Sequence, residues 1–143
     1  MTVQDNQNRM IIDPRRLFIF DAKRGTFLVL FAGMFVITEI GRHIYRPYIY
    51  AHDIFDFWIA DTIGNFTGTI AIIFFELGIL NPDLRSGKRI ILLITAGLIV
   101  YEVIQYFLPG TNTCDWRDIV ATITAGGISL VIFNNIMKAP AEK

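Results

Sequence analysis

Glu39, Asp61, Glu102 and Asp118 are the residues whose placement demands a chemical explanation, because each interrupts or borders a long apolar run. An ionisable side chain within a membrane span costs about 2.5–3.5 kcal/mol on insertion scales, so such groups need partners or a purpose. Two of them have an amide at helical spacing, Asp61 with Asn65 and Glu102 with Gln105. Carboxylates grouped in a partly dry cleft can hold a cationic or polyhydroxylated ligand, or relay protons. The competing arrangement is local pairing: Glu39 with Arg42, Glu102 with Gln105 or Arg117, Asp61 with Asn65 or Thr62, and Asp118 as a helix N-terminal cap. Asp61 carries the functional reading furthest.

Other chemistries find less in the chain. His43, His52 and Cys114 lie near acids, but no two share metal-ligand spacing, so neither a metal nor another cofactor is expected. Ser86 and Ser129 are the only serines, and no nucleophile stands beside a base, so catalysis is not expected. One cysteine excludes an internal disulfide. Thirteen basic residues balance thirteen acidic ones, which leaves no basic footprint for nucleic acid.

These side chains are positioned by four apolar stretches, over residues 25–41, 57–80, 90–108 and 119–137. At about 1.5 Å of rise per residue each is long enough, the first only just, to cross roughly 30 Å of hydrocarbon. The runs are rich in Val, Ile and Phe, but isolated strands cannot satisfy their backbone in lipid, so helices are expected. A composition 53% hydrophobic and 18% charged agrees with a chain that exposes little surface to water. The expected fold is all-α: one polytopic membrane domain of four transmembrane helices arranged as two tandem hairpins.

Charge sets the expected orientation. Ten Lys and Arg fall in the N-terminal region, the second-to-third connection and the C-terminal tail, whereas the opposite side has only Arg42, Arg46 and Arg117. The positive-inside rule then puts both termini in the cytoplasm. The outer side also carries seven acids against its three bases, so a formal net charge of zero hides an acidic outer face and a basic inner one. Asp13-Pro14 followed by Leu17-Phe18-Ile19-Phe20 reads as a short interfacial helix rather than part of a cleaved signal. Tyr45, Tyr48, Tyr50, Phe55, Phe57, Trp58 and Trp116 read as an aromatic belt at the outer interface.

The two halves repeat a pattern. Asp61, Asn65 and Gly68 follow i, i+4, i+7, as do Asp118, Thr122 and Ala125, which places each set on a single helix face. This implies two hairpins related by an axis along the membrane normal. Gly64 with Gly68, and Thr122 with Gly126, form small-residue faces expected to let helix backbones approach closely.

Glu102-Val-Ile-Gln105-Tyr-Phe-Leu-Pro109-Gly110, followed by Asp118 and a glycine-bearing helix with Gly126, resembles the VanZ-like membrane proteins. Asp61-Thr-Ile-Gly-Asn65-Phe-Thr-Gly68 is similar to the Asp-x-x-x-Asn stretch of that family, and the resemblance extends over most of residues 56–130. Thr111 stands where the family's turn Arg is expected, with Arg117 as its substitute, and Thr122 stands where Asn is expected. The resemblance implies a small multi-pass protein of the bacterial cytoplasmic membrane, linked in some members to glycopeptide antibiotic resistance. The expected site is an outward, carboxylate-lined pocket of Asp61, Asn65, Glu102, Gln105, Asp118, Glu39 and Arg117, binding a lipid-linked or envelope ligand. The alternatives are an accessory subunit of a larger membrane complex or homo-oligomer, and a proton-coupled transporter.

Overall fold

In the computed structural model, residues 20–107 and 115–139 are described, and among them four long helices and no strand are present. Helix α1 (Ala22–Ala51) starts behind Asp21, whose carboxylate caps it by accepting from the Arg24 backbone N–H at 2.8 Å. The span expected over residues 25–41 is only part of this helix. Its chain stays helical through a π turn, Gly41–Tyr45, in which the Arg46 N–H donates to the Gly41 carbonyl, and then through Arg46–Ala51. Pro47 lies six residues beyond the expected end of that span, yet inside the helix. A proline removes one helical donor and clashes with the carbonyl four residues earlier, and the widened π turn lies just before it, where that carbonyl spacing is already relaxed.

The connection to α2 (Ile59–Leu80) runs through Phe57 and Trp58, both at positive φ, of 56° and 65°. Asp56 secures this left-handed entry by accepting from the Ala60 backbone N–H at 2.6 Å and from the Tyr45 hydroxyl at 3.1 Å. The helix ends at Asn81 in the left-handed region, with its N–H on the Leu77 carbonyl at 2.9 Å. Asp83 then accepts from the Ser86 N–H at 2.8 Å where α3 (Leu84–Phe107) begins. Asp115 caps α4 (Trp116–Lys138) by accepting from the Arg117 N–H at 3.0 Å. The cap of this helix is therefore Asp115, and Asp118, expected in that role, sits in the first turn. The expected interfacial helix, the Pro109-Gly110 turn, Thr111 and Cys114 lie outside the described residues.

Helices α1, α2 and α4 are long and apolar enough to cross a membrane. Helix α1 packs along α2, α2 along α4 and α3 along α4, with lighter contact between α2 and α3. The order is thus α1, α2, α4, α3, with the second helix of each hairpin at the centre. Side chains such as Val29, Phe35, Leu93, Val100 and Val131 stand exposed around the outside, the surface a bilayer would cover.

One end of the bundle is closed. Phe27, Phe74 and Phe133, all fully buried, meet there with ring centroids 6.0 Å apart for Phe27 and Phe74 and 5.7 Å for Phe27 and Phe133. The Lys23 ammonium donates to the Met137 carbonyl at 3.0 Å and Arg24 Nε to the Gly78 carbonyl at 2.8 Å, so two basic side chains satisfy last-turn carbonyls of α4 and α2. Gly78 permits this approach, since a Cβ there would stand 2.6 Å from a Leu28 methyl. Nearer the middle, a Cβ on Gly126 would collide with the Thr95 side chain of α3, so the Thr122 and Gly126 face packs as its residue types imply. At the other end α1 and α3 stand apart.

Candidate functional site

The gap between α1 and α3 is a cavity of about 870 Å³ to which all four helices contribute. Helix α1 gives Thr38, Gly41, Arg42 and Arg46, and α2 gives Asp61, Gly64, Asn65 and Gly68. Helix α3 gives Tyr101, Glu102 and Gln105, while Asp115 and Asp118 come from the start of α4. The size is within the range of about 300–1,000 Å³ usual for small-molecule sites.

Asn65 is at the centre of the polar wall. Its amide nitrogen donates to Glu102 Oε1 at 3.3 Å, so a residue on α2 holds a carboxylate of α3, and Asp118 of α4 lines the same cavity. Glu102 is only 9% exposed, which makes that amide a necessary partner rather than an ornament. Asp118 lies close enough to Glu102, Asp61 and Asp115 for their charges to interact, and its Oδ1 is buried with no hydrogen-bond partner among the described residues.

Asp61, nearer the mouth, is held differently. The Tyr50 hydroxyl donates to Asp61 Oδ1, and the Arg46 guanidinium lies 3.6 Å from the same oxygen. Arg46 Nε also donates to the Tyr50 hydroxyl at 3.1 Å, which completes a triangle between α1 and α2. The pairings of Asp61 with Asn65 or Thr62 are replaced by this triangle, because the helical extension of α1 to Ala51 carries Arg46 and Tyr50 over the start of α2. At the lower wall the Thr38 hydroxyl donates to Thr67 Oγ1 at 2.7 Å, and Thr67 donates to the Ile63 carbonyl at 2.6 Å.

Five of the seven expected site residues, Asp61, Asn65, Glu102, Gln105 and Asp118, line this one cavity. Glu39 does not. Its carboxylate pairs with His43 at 3.2 Å, one helical turn on, in place of the expected Arg42. Arg117 is also elsewhere: its guanidinium stacks 4.0 Å over the Trp58 ring, lies 3.6 Å from Asp115 and lines a separate apolar groove of about 420 Å³ with Trp58, Phe66 and Val120. It therefore does not pair with Glu102.

Gly64 and Gly68, expected to press against another helix, have nothing within 4 Å of a built Cβ and form open cavity wall. Thr122 and Ala125, the counterparts of Asn65 and Gly68 in the second half, are buried instead, so the repeat diverges below Asp118. Arg42, Arg46 and Tyr101 are lining residues that sequence reasoning missed. The signal for the arginines was the run Thr38, Arg42, Arg46 at four-residue steps, kept in line by the π turn between them.

Among the described residues no group of three His, Cys, Asp or Glu side chains is arranged to hold a metal ion. The arrangement can accept several hydrogen bonds from a donor-rich ligand and offers two guanidiniums to an anionic part of it. Set against models of protein families, curated proteins and solved structures, the chain matches none of them.

Proposed function

We propose that the chain is a four-span, VanZ-like protein of the bacterial cytoplasmic membrane, both termini cytoplasmic, whose outward cavity binds the polar head of a lipid-linked or other envelope ligand. The observation that carries this reading is a cavity of about 870 Å³ in which Asn65 donates to the buried Glu102 carboxylate beside Asp61 and Asp118. Four helices spend polar side chains on one chamber, where lipid-facing positions would tolerate none of them. The apolar run that begins at residue 90, inside α3 as far as Phe107, supplies the fourth span. The basic closed end, with Lys23 and Arg24 on helix carbonyls, supports a cytoplasmic placement of that end.

The test uses the full chain in mild detergent, with native mass spectrometry of whatever envelope ligand co-purifies. Asp61→Asn and Glu102→Gln each remove a charge-assisted contact worth about 1.5–3 kcal/mol, so occupancy falls by about tenfold or more while helicity is unchanged. Both variants folding and retaining the ligand at wild-type occupancy counts against the proposal.

A further inference from the structure

We infer that the cavity selects a ligand carrying an ammonium and a phosphate together, an ammonium–phosphate zwitterion such as an ethanolamine phospholipid headgroup. The inference rests on the ligand-binding reading above and names the class of ligand. Its basis is the separation of charge between the walls.

The acids Asp61, Glu102, Asp115 and Asp118 come from α2, α3 and α4, whereas Arg42 and Arg46 come from α1. With all six ionised the lining carries two positive and four negative charges, so a purely anionic ligand meets net repulsion. A purely cationic ligand meets the arginines. Arg46 is drawn to Asp61, but Arg42 has no ion pair among the described residues and stands one turn from Arg46 on the same side of α1. Guanidinium groups match phosphate oxygens with paired N–H donors.

The acidic wall lacks donors. Asn65 supplies its amide to Glu102, and Asp118 Oδ1 is buried without a partner among the described residues. A buried acceptor left unpaired is costly, and an ammonium brings three donors to satisfy it and its neighbours. An uncharged polyol could donate there but would leave the guanidinium wall unanswered. Ile63 lines both this chamber and the apolar groove beside Trp58 and Phe66, which sets hydrocarbon-compatible surface next to the polar site. That juxtaposition favours a lipid as the source of the zwitterion.

The experiment titrates the full chain in detergent with four probes: short-chain phosphatidylethanolamine, phosphatidylglycerol of the same chain length, soluble glycerophosphoethanolamine and glycerol 3-phosphate, read by native mass spectrometry. The expected result is phosphatidylethanolamine bound at least about tenfold more tightly than phosphatidylglycerol. Asp118→Asn shrinks that ratio and Arg42→Gln weakens both lipids, with helicity by circular dichroism unchanged in each. Soluble glycerophosphoethanolamine binding as well as the lipid supports the zwitterion and assigns a free phosphoester as its source. Phosphatidylglycerol or glycerol 3-phosphate binding as tightly as its ethanolamine counterpart overturns the inference. So does undiminished discrimination in Asp118→Asn, or undiminished affinity for both lipids in Arg42→Gln. If no probe binds while Asp61→Asn still releases the co-purifying ligand, the zwitterion is wrong and the binding cavity stands; if Asp61→Asn and Glu102→Gln release nothing, the cavity reading fails as well.

Discussion

The Asn65 amide and the Glu102 carboxylate meet at 3.3 Å and join α2 to α3, two helices that otherwise pack only lightly. Glu102 is 9% exposed, and the bond is both a structural tie and part of the cavity lining. A buried carboxylate deprived of its donor loses about 1–3 kcal/mol. Asn65→Ala should lower thermal stability by that amount. In a double-mutant cycle, adding Glu102→Gln should cost less than in the wild type, with a coupling of about 0.5 kcal/mol or more. Strict additivity in detergent melts would show that the contact does no stabilising.

Glycines on opposite sides of α2 and α4 separate packing from lining. Gly126→Val places methyl groups into the Thr95 side chain and is expected to destabilise by about 1–3 kcal/mol through overpacking. Gly68→Ala meets nothing within 4 Å and should be neutral or slightly stabilising, by up to about 1 kcal/mol. Thermal unfolding of the two variants side by side checks the contrast, and equal losses would place Gly68 in a packed interface.

Tyr50 links Asp61 to Arg46 at an exposed position. Tyr50→Phe removes the hydroxyl while leaving the ring, so stability should change by less than about 0.5 kcal/mol. Ligand affinity should fall by about twofold to tenfold as Asp61 loses its orientation. A melting point that drops sharply while binding is untouched would reverse this assignment.

The closed end should be the more fragile. Phe133 is fully buried against Phe27, and Phe133→Ala is expected to cost about 3–5 kcal/mol by leaving a void among the rings. Chemical denaturation measures the loss. A variant as stable as the wild type would mean that these rings do not hold the bundle.

Helix number and class were legible because the apolar runs are long and uniform, and Asp61, Asn65, Glu102, Gln105 and Asp118 because polar side chains stand out against them. The end of α1 was not. Pro47 and the cluster of charged and aromatic residues after Gly41 look like a loop, and only the π turn reveals that the helix continues. Arg42 and Arg46 were lost with it, since bases assigned to a loop are counted for topology and not for chemistry. Glu39 and Arg117 drew attention by type, but each found a local neighbour, His43 for one and Trp58 for the other, at distances that spacing alone does not rank.

The stack of Phe27, Phe74 and Phe133 gives the molecule the shape of a cup. Water entering from the rim would stop above a plug of aromatic rings, so the barrier against ion leakage belongs to one half of the bundle and the freedom to widen belongs to the other. Splaying α1 from α3 about that plug would widen the cup while leaving its floor shut.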